Sequence, residues 1–162
     1  MARIHVPGDG HVAPLPKAGW QWKPYSDVKK RRVVERALFI LRTNVKGMKP
    51  CNECFKKLPG MRSFDDILND PELFISFDPG NIEGRYGVTI HAGGKEVSIT
   101  DWAIRMGRWL VASTLIHEFA HVNGAPGTNS DAEDTLICCG FSTHHVPGII
   151  GATGGASTGN YA

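Results

Sequence analysis

The sequence predicts a small α+β domain in which a short antiparallel hairpin packs on one long helix, with further helices around it. Two segments carry apolar residues at helical spacing, and shorter runs between them alternate apolar and polar residues with a period of two. The chain of 162 residues is long enough for one domain with a buried core. We therefore expect a single domain that combines helices with a small sheet.

Composition and charge argue against several classes of protein. The chain is 41% hydrophobic and 21% charged, and its formal net charge of +2 is too small to predict a nucleic-acid partner. No apolar run approaches the roughly eighteen residues that span a membrane, and the first ten residues, MARIHVPGDG, lack the apolar stretch of a secretory signal. We expect no membrane contact, and either a cytoplasmic location or secretion by a signal-independent route.

The chain divides into three segments. Residues 1–24 are rich in proline and glycine and are expected to form an extended arm, held by Trp20 and Trp22. Residues 25–147 carry the periodic patterns and form the predicted domain. Residues 148–162, GIIGATGGASTGNYA, are rich in glycine and small residues and are expected to form a loosely ordered tail.

The first helix is expected to begin at Ser26-Asp27, which can cap it, and to run as far as Gly47. A basic run at residues 29–32 lies on this helix. A solvated helix face explains that run better than phosphate binding. Residues 48–71 are predicted to form a loop with one short helix near Phe64–Leu68.

A small sheet is predicted next. Residues 73–77 have the composition of a strand, while residues 86–91 and 96–100 alternate with a period of two on either side of Gly93-Gly94. A glycine turn between two alternating runs predicts a hairpin.

The longest predicted helix follows this hairpin. Thr100 or Asp101 can cap it, and it runs from Trp102 to about Val122, where Gly124 closes it. After a loop of glycine, proline and small polar residues, a second helix is predicted over residues 131–141.

The segment His117-Glu118-Phe119-Ala120-His121 stands near the end of the long helix. Two histidines four residues apart project from one face of a helix, so both imidazoles can hold one cation. The glutamate after the first histidine then lies beside the metal, where it can take a proton from the water that the metal activates. We expect a zinc (Zn²⁺) site with His117 and His121 as ligands and Glu118 as the catalytic base.

The alternative interpretation is a pair of core histidines satisfied by hydrogen bonds. The helix around the motif is apolar over much of its surface and is expected to be buried. Unpaired polar groups in a buried helix cost several kcal/mol, which favours a functional reason for two histidines and a glutamate there.

Catalytic zinc takes three protein ligands and leaves one position open for water. On the second helix, at about 100° per residue, Glu133 falls inside an apolar arc that includes Leu136 and Ile137, and a carboxylate there needs a partner. Asp131 and Asp134 fall on the opposite arc, where acids of the first turn complement the helix dipole. Glu133 is the expected third ligand, and Asp131 or Asp134 stays open as an alternative.

Four cysteines stand as Cys51-x-x-Cys54 and Cys138-Cys139. A second zinc site would need two similarly spaced pairs, and adjacent cysteines rarely point at one tetrahedral centre. Reduced, partly buried thiols are the expected state. A disulfide between the two regions is the alternative, provided that the protein works in an oxidising compartment.

HEFAH on a helix, followed by a glycine turn and a second helix with an acid, resembles the HExxH zinc metallopeptidases, the zincins. The resemblance covers residues 102–141 and implies that His117 and His121 bind zinc, with Glu118 as general base. A glutamate as third ligand is similar to the gluzincin branch. The small size and the missing signal resemble bacterial effector or toxin metallopeptidase domains, which implies a cognate inhibitor or immunity protein as a partner.

The chain departs from two related patterns. His121 begins a segment similar to the metzincin extension, but Gly127 stands where that family has its third histidine, which excludes metzincin ligation. Gly127-Thr128 followed by Asp131 is only faintly similar to the aspartate-ligand zincins. Eleven residues separate His121 from Glu133, fewer than in many gluzincins, which implies a compact variant.

The resemblance implies a zinc-dependent metallopeptidase, a hydrolase that acts on protein or peptide substrates. Candidates for the donor that stabilises the tetrahedral oxyanion are His144, His145, Tyr86 and Tyr161. Two alternatives stay open. One is a zinc hydrolase of a non-peptide amide, such as cell-wall material, and the other is a metal-binding or regulatory module without turnover.

Overall fold

A computed structural model describes residues 1–14, 21–80 and 84–141, and the predicted α+β class is confirmed. The helices in these ranges are α1 (Val28–Ile40), α2 (Lys49–Lys56), α3 (Phe64–Leu68), α4 (Asp101–Met106), α5 (Arg108–Val122) and α6 (Asp131–Cys138). The strands are β1 (Arg3–Ile4), β2 (Phe74–Asp78), β3 (Gly87–Thr89) and β4 (Glu96–Thr100).

The strands form one sheet in the order β1-β2-β4-β3. β3 and β4 form the predicted antiparallel hairpin, in which Val88 lies opposite Ser98. β2 pairs parallel with β4, and β1 pairs parallel with β2. The sheet is therefore mixed, where the sequence predicted an antiparallel one, because the choice of partner between distant strands depends on packing more than on local pattern.

α5 is the central element of the fold. Every residue from Leu110 to Val122 is buried, and the helix packs against α1, α4 and α6 as well as against β3 and β4. A helix that is largely apolar all round is stable only when other elements surround it. The two motif histidines therefore lie inside the domain.

The prediction of one helix from Trp102 to Val122 is wrong, because the helix breaks at Gly107. Gly107 has a φ of +100°, which residues with a Cβ rarely adopt, and it ends α4 and precedes α5. The predicted cap is confirmed: Thr100 Oγ1 accepts a hydrogen bond from the Ala103 amide at 3.2 Å. Gly124, with a φ of +90°, follows α5 as predicted.

α1 begins as predicted, with Asp27 Oδ1 accepting a hydrogen bond from the Lys29 amide at 2.8 Å. The chain is α-helical to Ile40 and continues as a short π-helical segment, Leu41–Val45. It then turns at Gly47, which has a φ of +83°.

The loop predicted over residues 48–71 contains one helix more than expected. α3 has the predicted bounds, but α2 is a correction to the prediction. It carries Pro50 in its first turn and buries Cys51 and Phe55, which lie four residues apart on one face. Two buried residues are too few to give a recognisable helical period in the sequence.

The N-terminal arm runs along the sheet. β1 pairs with β2, and Lys23 forms an isolated antiparallel bridge with Phe77. Trp22 is buried, while Trp20 and the predicted tail 148–162 lie outside the described residues. Among the helices of the described ranges, none has the length and apolar character that crossing a bilayer requires.

Candidate metal centre

His117 and His121 lie one turn apart on α5, and their Nε2 atoms are 3.1 Å from each other. Both residues are buried, with 1% and 2% of their surface exposed. Two nitrogens bound to one tetrahedral zinc ion at about 2.0–2.1 Å would lie about 3.3 Å apart. The two imidazoles therefore stand close to the separation that a shared cation requires.

The other ring nitrogen of His121 fixes its tautomer. Nδ1 lies 2.7 Å from the carbonyl oxygen of Ala125, and a carbonyl only accepts, so Nδ1 carries the proton and Nε2 keeps a lone pair. Burial lowers the pKa of both histidines, and the neighbouring His121 lowers that of His117 further, while the bond to Ala125 partly opposes the effect in His121. Neutral imidazole is the form that binds metals.

Glu118 is buried on the same helix, beside this pair. Thr89 Oγ1 lies 2.6 Å from its Oε2, while Oε1 has no hydrogen-bond partner among the described residues. Burial raises the pKa of the Glu118 carboxyl, the hydrogen bond from Thr89 opposes this, and the charge of Glu133 raises the pKa further. Glu118 is thus a desolvated carboxyl group whose neutral form is favoured, with one oxygen held and the other available.

Gly87 allows β3 to approach Glu118 closely. A Cβ at this position would lie 3.1 Å from Glu118 Cγ and 2.9 Å from both Thr114 Cγ2 and the carbonyl oxygen of Ser98. Any side chain at position 87 would push the strand away from α5. The glycine therefore sets the distance between Thr89 and the carboxylate that it contacts.

α6 packs against α5 and brings Glu133 near enough for its charge to act on Glu118. Glu133 is partly buried, whereas Ile137, which the sequence placed on the inner side of α6, is 69% exposed. The buried arc of α6 is narrower than predicted and centres on Ala132 and Leu136. Glu133 lies at the edge of this arc and not inside it.

The two alternative acids of α6, Asp131 and Asp134, are exposed. They line a cleft of about 180 Å³, together with Cys54 of α2 and with Lys57, the residue directly after that helix. Both lie in the first turn of the helix, where acids complement the helix dipole, as the sequence predicted.

Of the four candidates for oxyanion stabilisation, one lies within the described residues. Tyr86 is buried and directly precedes β3, the strand that carries Thr89. His144, His145 and Tyr161 lie outside the described residues.

Within the described ranges, no three side chains of histidine, cysteine, aspartate or glutamate come close enough together to hold a metal ion. Glu133 is linked to the cluster by the effect of its charge on Glu118. The donor chemistry nevertheless fits zinc: two neutral imidazoles and a carboxylate are typical ligands, and an unpaired oxygen of Glu118 lies beside them.

The sequence does not predict the roles of two residues of the centre. Thr89 occupies a polar position of an alternating strand, which shows that one face differs from the other but not that this face meets Glu118. Ala125 contributes only its carbonyl group, and no side-chain pattern predicts a backbone acceptor.

The four cysteines form two disulfides, Cys51–Cys139 and Cys54–Cys138. The expectation of reduced thiols is therefore wrong, and the alternative of a link between the two regions is what the structure contains. α2 and α6 lie side by side, with Cα–Cα separations of 4.4 and 6.3 Å at the two bridges, which disulfides can span.

Comparisons with protein-family models, with curated proteins and with solved structures give no match for this chain. Its function is therefore inferred from the geometry and chemistry of the centre itself.

Proposed function

We propose that this chain is a small zinc-dependent peptidase of the zincin type, with His117, His121 and Glu133 as metal ligands and Glu118 as the base. The observation that carries the proposal is the 3.1 Å separation of the two Nε2 atoms beside a buried carboxylate. Histidines with a purely structural role would leave the burial of that carboxyl group without an explanation, because burying a polar group with an unpaired oxygen costs free energy.

The charges around the pair also favour a cation. Glu118 and Glu133 are near enough for the charge of one to raise the pKa of the other, so the cluster holds two acids that repel each other. A divalent cation between them and the imidazoles would offset this repulsion and complete the site. His121 is already oriented for it by its hydrogen bond to Ala125, as outer partners orient ligands in metal sites.

Zinc in such a site supplies a Lewis acid, which acidifies water and polarises a carbonyl group. The contribution of the protein is proton transfer. Thr89 holds Oε2 of Glu118, and Oε1 is available to accept the proton of the attacking water. Glu118 then delivers this proton to the leaving amine. Because burial raises the pKa of its carboxyl, Glu118 is a stronger base than an exposed glutamate.

The test is the replacement Glu118→Gln, with zinc content and hydrolysis of a denatured protein measured on the same preparation. We expect zinc to stay bound while turnover falls by about 10²–10⁴-fold, the usual contribution of a general base. Glu35→Gln is the control, because Glu35 is exposed on α1 and pairs with Arg31. Retained turnover in Glu118→Gln would exclude this mechanism.

The same assay separates the alternatives. The residues of the centre would cleave a non-peptide amide by the same proton transfers, so cell-wall material is assayed beside the denatured protein. A wild-type chain that binds zinc and cleaves neither substrate is a binding or regulatory module. A wild-type chain that binds no zinc contradicts the proposal at its first step.

A further inference from the structure

The two disulfides hold the helix that carries Glu133. Each cysteine of α2 pairs with one of the two adjacent cysteines at the C-terminal end of α6. The helix has eight residues, and isolated helices shorter than about 12–15 residues are marginal in water. Its position therefore depends on its contacts with α5 and on its two covalent links to α2.

The two bridges differ in their access to solvent. Cys51 and Cys139 are 0% and 1% exposed, so their bond is closed to reagents. Cys54 and Cys138 are partly exposed, and Cys54 lines the cleft of about 180 Å³ between α2 and α6. Exchange requires a thiolate to reach a disulfide sulfur, and the structure gives that access to one bridge.

We propose that the Cys54–Cys138 disulfide is an exchange site for a small thiol of the glutathione class, and that its opening loosens the Glu133 helix. The incoming thiolate attacks one sulfur, forms a mixed disulfide with it and releases the other cysteine as a thiolate, which takes up a proton. A second thiol then attacks the mixed disulfide. Two thiols are thereby oxidised to one disulfide, while Cys54 and Cys138 are reduced.

The consequence for the metal centre rests on the proposed function. With the accessible bridge open, Cys51–Cys139 is the remaining covalent link among the described residues, and α6 is joined to α2 by one bond instead of two. Loss of the groups that orient a metal ligand lowers the affinity of a site for zinc by about 10–100-fold. Because disulfides persist in oxidising compartments and are reduced in the cytosol, the bridge would make zinc affinity depend on the compartment.

The exchange site is tested on the full wild-type chain without added zinc. The chain is titrated with glutathione, capped with iodoacetamide under native conditions and mapped by peptide mass spectrometry. We expect Cys54 and Cys138 to be labelled at glutathione concentrations at least about tenfold lower than Cys51 and Cys139, because access limits exchange. Simultaneous labelling of all four cysteines, or free thiols in chain purified without reductant, would overturn the exchange site.

The link to Glu133 is tested by zinc affinity, measured by chelator competition after glutathione is removed and the thiols are capped. Wild type should lose about tenfold in affinity on opening. The double variant Cys54→Ser/Cys138→Ser should bind zinc weakly before glutathione is added, and glutathione should not change its affinity. The double variant Cys51→Ser/Cys139→Ser should still lose zinc affinity after glutathione treatment. Unchanged affinity in opened wild type overturns the link. A wild-type chain that binds no zinc at all counts against the proposed function, and the labelling order still decides the exchange site.

Discussion

Thr89 Oγ1 lies 2.6 Å from Oε2 of Glu118 and 3.1 Å from the backbone carbonyl oxygen of the same residue. A hydroxyl of the hairpin thus reaches two acceptors on the motif helix. It has one proton, and the shorter contact is to the carboxylate, the stronger acceptor of the two. This bond offsets part of the cost of burying Glu118, and it ties the sheet to the centre.

We expect Thr89→Val to lower the free energy of unfolding by about 1 kcal/mol, the usual net value of a hydrogen bond between neutral groups, because the raised pKa of Glu118 favours its neutral form. The replacement keeps the shape of the side chain and removes the donor. Thr89→Ser is the matched control, since it keeps the hydroxyl and should lose less. Urea denaturation of the metal-free chain measures both, and equal stability of wild type and Thr89→Val would contradict the assigned role.

Gly87→Ala should destabilise the fold by about 1–3 kcal/mol, because the added Cβ overpacks the contact between β3 and α5. Thr114 Cγ2 is one of the two nearest atoms, at 2.9 Å. Adding Thr114→Ser removes that methyl group and should restore part of the loss. The full double-mutant cycle, by urea denaturation, measures the coupling, and strictly additive effects would show that the clash lies elsewhere.

Asn123 fixes the end of α5 to the last turn of α2 and to the loop after it. Its Nδ2 donates to the carbonyl oxygens of Phe55 and Arg62 at 2.7 and 2.8 Å, and its Oδ1 accepts from the Arg62 amide at 3.2 Å. Asn123→Ala should cost about 2–4 kcal/mol, from one buried and two partly buried bonds of roughly 1 kcal/mol each.

Asn123→Asp is the control of equal size. It keeps the acceptor but turns a carboxylate towards two carbonyl oxygens, so at neutral pH it should be at least as destabilising as Asn123→Ala. Thermal unfolding compares the two variants. If Asn123→Asp unfolded at the same temperature as wild type, the two donated bonds would contribute nothing to stability.

Asp70 should make stability depend on pH in acid. Burial raises the pKa of its carboxyl, but hydrogen bonds from the Glu72 amide, Arg62 and Lys95 outweigh this, and the pKa lies below that of an ordinary aspartate. The folded state thus favours the charged form. Its stabilisation is complete above the unfolded pKa of about 4 and is lost as the pH falls through the lowered folded pKa.

The measurement is the free energy of unfolding in urea at a series of pH values below about 4. Wild type should lose stability there more steeply than Asp70→Asn, which has no proton to bind at this position. Parallel curves for the two proteins would show that the ion pairs of Asp70 with Arg62 and Lys95, at 2.9 and 3.2 Å, do not contribute.

Local chemistry made several elements predictable. The start of α1 follows from the Asp27 cap, and the hairpin from period-two runs around Gly93-Gly94. These signals act over a few residues. The break at Gly107 was not predicted, because an isolated glycine inside an apolar helical pattern is compatible with a continuous helix.

The remaining features depend on contacts between distant segments. The parallel pairing of β2 with β4, the meeting of Thr89 with Glu118, and the choice of cysteine partners arise only when the elements pack. The motif histidines could be placed on one helix face from their spacing alone, since four residues make about one turn. The position of Glu133 could be placed only approximately, because the orientation of α6 depends on the disulfides and on α5.

Glu133 is best tested against its neighbour on the same helix. We expect Glu133→Ala to weaken zinc binding by more than about 100-fold, since loss of outer partners alone costs 10–100-fold. Asp134→Ala is the matched control: Asp134 is exposed in the same first turn, one residue on, and its loss should change the affinity less than about twofold. Chelator competition on metal-free protein measures both. If Glu133→Ala holds zinc as tightly as wild type, the third ligand lies elsewhere, and the pair His117–His121 must be completed by another residue.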